Sequence, residues 1–567
     1  TKQEAKTSDL PFVSRRSPFL CRKGCVASSQ PLASTIGLQI LREGGNAADA
    51  AIAVAAALAV TEPCSTGLGG DMFALYYDAA TKKVSAVNGS GKSPSALTRD
   101  VVVSSCGNTN GEIATSKFIM SPHAITVPGA AKGWHDVFQK FGSQAKSFAE
   151  LLEPAAQLAE EGFPVSPITA NAWQSGMDGI RKWKTNHEDH EVMPLSINGD
   201  APQVGEIFVN KDMASVLREL GAKGPSEGFY KGFPGKAIAE AVQKNGGVMS
   251  EEDLASHETT FPEAICAKYR DVQLWQVPPN GQGIAGLIAL TGLQELEEAG
   301  ALPKTAMESP RSVEALHAQM EMMRLGFADI REHVADPDHM KVSNEQLLDK
   351  KRIGERANRL FDPKRAVVKG TPDVSSCTVS FQVVDKDGNA ISFVNSNFMG
   401  FGTGLVPKGC GFSLQNRGFG FSLEPDHPNA LGPSKRPYHT IIPGMLTHAD
   451  TNELYATISN MGGNMQPQGH MQLTVALIAA GVDPQVAVDM PRFCIADGSQ
   501  DGVSMLEDGI SLPVMQELSQ MGHSIHGPVT GHSRSLFGRA QIIKRDRITG
   551  VLWAGSDGRA DGCAMGY

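Results

Sequence analysis

One stretch near the start of the chain, residues 46–60 (NAADAAIAVAAALAV), constrains the fold most, because nearly all of its side chains are small and apolar. Asn46 is a typical helix N-cap, and the preceding segment LASTIGLQILREGG ends on a Gly-Gly pair typical of a helix C-terminus. A helix with small side chains on every face can be packed closely from all sides, so we predict a central buried helix. The run is too short to cross a bilayer.

Length and composition exclude several classes of protein. A chain of 567 residues exceeds what one small core serves, which indicates two or more domains or one large elaborated domain. With 51 basic and 61 acidic residues, a net charge of -10 and no Lys/Arg block, nucleic acid is not an expected partner. The nine cysteines are scattered, and only Cys21 and Cys25 lie near each other, so we predict mostly buried thiols. We predict neither a metal site nor a cofactor.

The first thirty residues are polar and contain no run that resembles a secretory core. We therefore expect a cytoplasmic rather than a secreted protein, with no membrane association. A removed leader stays open, because the sequence begins at Thr1. Residues 1–23 are predicted to be an N-terminal arm, either flexible or a strand of unknown partner.

The rest of the chain changes character at Thr378. Before it, the Gly-rich turn TGLGGD leads into the hairpin-like FALYYD and KVSAVNGS, and helical patterns dominate from about residue 147 to 360. From Thr378, TVSFQVVD alternates polar and apolar residues, KDGN makes a tight turn, and AISFVNSN follows, which predicts a hairpin. A helix, MQLTVALIAAGVDPQVAVD, is predicted to end at Pro491. Helices stacked on a sheet are the expected result.

Several motifs occur in the order and, in part, the spacing of a known family. They are GCVASSQPLAS (24–34), LREGGNAADAAIA (41–53), STGLGGD (65–71), TVPGA (126–130), LAEEGFPV (158–165), TVSFQVVDKDGNA (378–390), FGTG (401–404), KRP (435–437) and SNMGGN (459–464). Together they resemble the γ-glutamyltransferases, which are N-terminal-nucleophile hydrolases, over most of residues 24–567. The resemblance implies an α+β fold, the four-layer αββα sandwich. It also implies a cut that leaves a large chain, 24–377, and a small chain, 378–567, in one catalytic domain.

The chemistry of such a cut explains why a threonine can act as the nucleophile. A threonine hydroxyl needs a base, and a threonine at a chain terminus carries one, its own α-amine with a pKa of roughly 7.7 to 8.0. The resemblance makes Thr378 the nucleophile, with Cys377 left as the end of the large chain. It implies that Gly462 and Gly463 stabilise the oxyanion and that Ser396 hydrogen-bonds the nucleophile. The alternatives are a mere tight turn for the glycines and an exposed strand serine for Ser396.

The substrate pocket departs from the family pattern. Where the family binds the glutamyl carboxylate with an arginine, this chain has Ser90. Arg417 and Gly420 stand where the family binds the α-amine, and Tyr438, His439 and Thr440 stand where it has a hydroxyl pair after KRP.

We expect Arg417 to bind a substrate carboxylate from the other wall, with His439, Thr440 and Tyr438 beside it. The alternative is a surface arginine that pairs with Asp426 or Glu424. The short segment 422–434 indicates a more open site than in members with a lid.

Two enzymatic functions therefore stay open. The first is a γ-glutamyltransferase-like amidohydrolase that acts on γ-glutamyl amides such as glutathione through an acyl-enzyme. The second, favoured by Ser90, is an acylase on glutaryl or other acyl amides. An inactive relative is a third alternative, against which the intact Thr378 speaks. Expected partners are the small-molecule amide and the chain's own two fragments; a homodimer is left open.

Overall fold

The computed structural model describes residues 16–108, 110–184, 193–372, 377–496 and 502–567. Its strands are β1 (Phe19–Cys21), β2 (Cys25–Ser28), β3 (Asp71–Asp78), β4 (Lys83–Gly89), β5 (Phe163–Pro164), β6 (Ile207–Phe208), β7 (Ile265–Tyr269), β8 (Val272–Gln276), β9 (Cys377–Val384), β10 (Ala390–Phe398), β11 (Gly444–His448), β12 (Leu454–Met461), β13 (Phe493–Ile495), β14 (Ser504–Glu507), β15 (Ile525–Val529), β16 (Arg539–Arg545), β17 (Leu552–Ser556) and β18 (Cys563–Gly566).

The α-helices are α1 (Pro31–Arg42), α2 (Ala47–Thr61), α3 (Arg99–Cys106), α4 (Thr115–Phe118), α5 (Ala130–Phe141), α6 (Phe148–Glu161), α7 (Pro167–Lys184), α8 (Lys211–Pro225), α9 (Phe233–Lys244), α10 (Glu251–Ala255), α11 (Gly283–Glu298), α12 (Val313–His333), α13 (Asn344–Leu347), α14 (Lys350–Leu360), α15 (Met465–Ile478), α16 (Pro484–Asp489) and α17 (Leu512–Gln520).

Two sheets form the centre of the described structure. One has the order β1-β17-β16-β12-β11-β8-β7 and the other the order β18-β2-β9-β10-β3-β4. They pack face to face, with β9 against β12 and β16. Helices α1, α2 and α5 cover the outer face of the second sheet, while α11 and α15 cover the first and α12 packs on α11. The predicted four-layer αββα sandwich is therefore confirmed.

The small-residue helix α2 is buried along its whole length, as predicted. The Asn46 side chain accepts hydrogen bonds from the amides of Ala48 and Asp49, and the Asp49 carboxylate accepts one from the Asn46 amide. This reciprocal cap fixes where the helix begins. Because α2 packs between strands β9 and β10 on one side and α1 and α6 on the other, larger side chains would not fit.

Three local predictions need correction or completion. The stretch predicted as mainly helical contains the β7–β8 hairpin, whose residues join the first sheet. The single helix predicted up to Pro491 is two helices, because Gly481 has a φ of 65° and Pro484 begins α16 behind the Asp483 cap. In the predicted arm, β1 pairs with β17, so the strand alternative holds there, while residues 1–15 lie outside the described residues.

The cysteines that the structure describes are free thiols and most are buried, as predicted. Within the described ranges we find no helix with the length and apolar character needed to span a bilayer.

Candidate active site

Thr378 lies near the start of β9, where the pairing with β10 is irregular. Asn395 pairs with Val379 and Phe398 pairs with Cys377, so Thr378 faces a bulge in β10. A bulge turns side chains away from regular alternation, and such bulges often lie beside active sites. The Thr378 side chain is fully buried in the uncut chain.

Ser396 occupies that bulge and contacts the threonine directly. The Thr378 hydroxyl donates to Ser396 Oγ across 3.2 Å, and the same Oγ accepts from the Phe398 amide at 2.9 Å. Ser396 is fully buried, so the alternative of an exposed strand serine is wrong. The strand geometry thus holds two hydroxyl groups in contact.

The glycine pair forms the turn between β12 and α15. Gly462 has a φ of 126° and Gly463 a φ of 53°, a region that side-chain-bearing residues seldom adopt. Their carbonyl oxygens accept from the amides of Met465 and Gln466. Neither glycine amide donates to an acceptor among the residues that the structure describes. The turn therefore offers two backbone donors, the group that a developing oxyanion requires.

Arg417, which the glycine turn contacts through Thr440 and Gln282, is a buried cation. It is completely buried, and its Nη1 donates to Thr440 Oγ1 at 2.9 Å. The guanidinium carbon lies 4.3 Å from the centre of the Phe398 ring. Its Nε and Nη2 find no hydrogen-bond partner in the described part of the chain. The alternative of a surface arginine paired with Asp426 or Glu424 is therefore wrong.

Burial is costly for this cation. It lowers the pKa of Arg417 to about 9, and the negative charge of Asp71 acts in the opposite direction. A buried charge is stable only when it is paired and hydrogen-bonded. The two unpaired nitrogens can donate to both oxygens of one carboxylate, which is the arrangement that arginine favours.

Gln282, which the sequence analysis did not select, connects the predicted residues. Its Nε2 donates to the carbonyl oxygens of Thr440 at 2.6 Å and Gly463 at 2.9 Å, and its Oε1 accepts from the Tyr438 hydroxyl at 2.8 Å. Arg417 touches Thr440, so one hydrogen-bonded cluster runs from Arg417 to the glycine turn. The sequence feature that could have indicated Gln282 is its position at the end of a Pro-Pro-Asn-Gly-Gln turn, directly before α11.

Asp71 is a second residue that the sequence analysis missed, although it ends the STGLGGD motif. Its Oδ1 accepts from the amides of Gly91 at 3.1 Å and Gly129 at 3.0 Å and from Gln415 Nε2 at 3.0 Å. Its Oδ2 accepts from His439 Nε2 at 3.1 Å. Burial by itself raises the pKa of Asp71, but the hydrogen bonds from His439 and Gln415 outweigh it and the pKa is lowered. An ionised Asp71 therefore joins several loops behind the site.

His439 is held by both ring nitrogens. Nε2 donates to Asp71, and Nδ1 accepts from the Ile441 amide at 3.3 Å. Burial, helped by the charge of Arg417, lowers the pKa of His439 to about 3. A neutral imidazole with both nitrogens engaged is not available as a general base. His439 thus orients Asp71 and the loop that carries Thr440.

The sequence model of the γ-glutamyltranspeptidases matches residues 33–567. The chain belongs to the γ-glutamyltranspeptidase family. The family resemblance of its motifs is thereby confirmed, and so is the prediction of an enzyme of the hydrolase and acyltransferase type.

Relatives of this γ-glutamyltranspeptidase-family chain carry several different activities in their names. The Glutathione hydrolase-like YwrD proenzyme of Bacillus subtilis is 35% identical over 96% of this chain and 98% of its own. The Oxamate amidohydrolase proenzyme of Klebsiella pneumoniae is 30% identical over 96% and 98% of the two chains. A crystal structure of cephalosporin acylase from Bacillus halodurans has a TM-score of 0.87 and 38% identity, and covers 99% of this chain and 98% of that one.

Ser90, which stands at the position of the family arginine, makes contacts of its own. Its hydroxyl accepts from Asn280 Nδ2 at 3.0 Å, and its carbonyl accepts from Arg436 Nε at 3.0 Å. Arg436 also donates to the Glu258 carbonyl at 3.2 Å. Arg436 is therefore committed to backbone carbonyls on this wall, whereas Arg417 on the other wall keeps two nitrogens unpaired.

Proposed function

We propose that this member of the γ-glutamyltranspeptidase family cuts itself between Cys377 and Thr378. The freed Thr378 then hydrolyses amides whose acyl group carries a free carboxylate besides the amide carbonyl. Gly462, Gly463, Ser396 and Arg417 complete the site. The observation that carries the proposal is the cluster that joins the Thr378–Ser396 pair, through Phe398, to a buried arginine with two unpaired nitrogens.

The reaction follows from the groups present. Cleavage turns the Thr378 amide nitrogen into an α-amine, which accepts the hydroxyl proton as Oγ1 attacks the substrate carbonyl. The oxyanion forms beside the amides of Gly462 and Gly463. Collapse breaks the carbon–nitrogen bond, the α-amine returns the proton to the leaving amine, and an ester to Thr378 is left. Water, or an acceptor amine in a transfer reaction, attacks this ester and frees Thr378 again.

Arg417 is assigned the remote carboxylate of the acyl group. Its Nε and Nη2 donate to the two carboxylate oxygens, while Nη1 stays with Thr440. Thr440, Tyr438 and His439 hold the arginine and the glycine turn in one relative position through Gln282 and Asp71. The salt bridge would form in a desolvated site, where such pairs discriminate strongly between ligands.

γ-Glutamyl amides such as glutathione are the first substrate class, in line with the family and with the name of the Bacillus subtilis relative. Glutaryl-type amides, which lack the α-amine, are a second class with a specific observation in their favour. The carboxylate whose charge acts on Arg417 is Asp71, and all of its contacts are made within the protein. A substrate ammonium group beside Arg417 would therefore be repelled by the guanidinium, and Asp71 would not be free to pair with it.

A substrate panel on the purified, cut protein tests the proposal. γ-Glutamyl, glutaryl and simple acyl anilides share a leaving group and differ only in the acyl part. We expect the two carboxylate-bearing donors to have much higher kcat/KM than a neutral acyl anilide of equal length. Equal values for all three would contradict the assignment of Arg417, and no turnover of any donor would contradict the amidohydrolase function.

A further inference from the structure

A cluster of side chains that can ligate a metal ion lies outside the candidate active site. His317 and Glu321 sit one turn apart on α12, and His523 follows α17. All three are buried, and one ligand atom from each lies within 4.8 Å of the others. His317 Nδ1 and His523 Nε2 are 2.7 Å apart. The cluster shares no residue with the hydrogen-bonded network around Thr378.

The surrounding hydrogen bonds aim these atoms at one point. His317 Nε2 lies 2.8 Å from the Asp362 carbonyl, so it carries the proton and leaves the Nδ1 lone pair facing the cluster. Glu321 Oε2 accepts from the amides of Val367 at 2.9 Å and Val368 at 2.8 Å.

The other carboxylate oxygen, Glu321 Oε1, has no hydrogen-bond partner among the described residues, and Glu321 has no exposed surface. An unpaired carboxylate oxygen in the interior is costly unless a cation compensates it. The positive charge of Arg324 acts on Glu321, but Arg324 donates no hydrogen bond to Oε1.

We propose that His317, Glu321 and His523 bind one divalent cation of the zinc type. Two imidazoles and one carboxylate are donors that Zn²⁺ accepts, at about 2.0 to 2.2 Å from each ligand atom. Two tetrahedral ligands at that distance lie roughly 3.4 Å apart, so the histidine pair needs to open by about 0.7 Å. The hydrogen bond that the two imidazoles share is then replaced by two metal–nitrogen bonds.

The position of the site gives the ion a structural role. His317 and Glu321 precede the proposed cut, and His523 follows it. Glu321 also holds residues 367–368, and the neighbouring Ala366 amide donates to the Met521 carbonyl at 2.7 Å. The ion would therefore join the end of the large chain to the small chain once the Cys377–Thr378 bond is gone. The sequence alone predicts no metal here, because the third ligand lies 206 residues from the first and no local spacing reveals the site.

Metal content of the full-length protein tests the site without any use of activity. The wild type, incubated with ZnCl₂ and desalted, is expected to retain one zinc per chain by mass spectrometry. Glu321→Gln keeps the shape of the side chain and His523→Gln keeps a polar one, and each is expected to lose the zinc. His526→Gln changes an exposed histidine on the following strand and serves as the matched control that keeps it. A wild type with no more zinc than His523→Gln would overturn the proposal.

Thermal unfolding gives a second measurement that needs only the wild type. Because an ion that binds the folded state raises its stability, EDTA should lower the Tm of the zinc-loaded protein and added zinc should restore it. The His526→Gln protein should respond in the same way. An identical Tm with and without EDTA would overturn the proposal even if both ligand variants fail to fold.

Discussion

The hydroxyl of Thr378 donates to Ser396 Oγ across 3.2 Å, inside the bulge that interrupts the pairing of β9 and β10. The contact fixes the rotamer of Thr378 before the chain is cut. Since Phe398 follows in the same bulge and stacks on Arg417, Thr378, the proposed nucleophile, and the buried arginine are positioned by one piece of backbone.

Replacement of Thr378 should stop both cleavage and catalysis. We expect Thr378→Ala to stay one chain and to be inert, while the wild type gives two chains, the smaller beginning Thr-Val-Ser-Phe-Gln. Thr378→Ser should cut slowly, because it keeps the hydroxyl but loses the methyl group that restricts the rotamer. Electrophoresis and N-terminal sequencing check this. Active wild type that consists of one uncut chain would contradict the mechanism.

The pH profile should report the α-amine of Thr378 rather than an imidazole. We expect kcat/KM to rise with an apparent pKa near that of a free terminus, roughly 7.7 to 8.0. His439→Gln should lower activity yet keep that apparent pKa, because both nitrogens of His439 are engaged and its own pKa is about 3. A profile that loses this limb in His439→Gln would identify the imidazole as the base.

Arg417→Ala should separate substrates by charge. Self-cleavage should be intact, since it involves no carboxylate-bearing substrate. For carboxylate-bearing donors kcat/KM should fall by an amount equivalent to roughly 2–5 kcal/mol, and neutral anilides should be nearly unaffected. Arg436→Ala is the matched control, because Arg436 donates to the carbonyls of Ser90 and Glu258 and should not discriminate between donors. A uniform loss in Arg417→Ala would mean that Arg417 supports the fold.

A side chain at Gly462 should impair the proposed oxyanion turn. The φ of 126° strains any L-residue, and a Cβ there would lie 3.1 Å from Gly538 Cα. Alanine keeps the backbone N–H but displaces it, so we expect Gly462→Ala to lower kcat by up to about a hundredfold, the effect of losing one oxyanion donor. Gly481→Ala is the control, because it has a φ of 65° but nothing within 4 Å of the added Cβ. Equal losses of kcat in the two variants would show that backbone strain alone causes the loss and would contradict the oxyanion role.

Acid should destabilise the fold through His470. Burial lowers the pKa of His470 to about 3, so the folded protein keeps it neutral while the unfolded chain binds a proton below about 6.5. Its contribution to stability is therefore present above pH 6.5 and is lost as the pH falls towards 3, by up to about 1.4 kcal/mol per pH unit. Urea unfolding between pH 7 and 4 should show a shallower loss in His470→Gln than in the wild type. Equal slopes would contradict the prediction.

The sequence alone determined the elements whose signal is local. The small-residue helix with its Asn46 cap, the hairpins that begin at Asp71 and Thr378, and the family motifs around Thr378 and Gly462-Gly463 are all readable from neighbouring residues. Features that depend on distant segments became visible in the folded structure. It showed that Arg417 is buried rather than on the surface, that Asp71 and Gln282 connect the site, and that His523 meets α12. The physical reason is that burial and hydrogen-bond partners are set by packing between layers, and no local pattern records which residues that packing brings together.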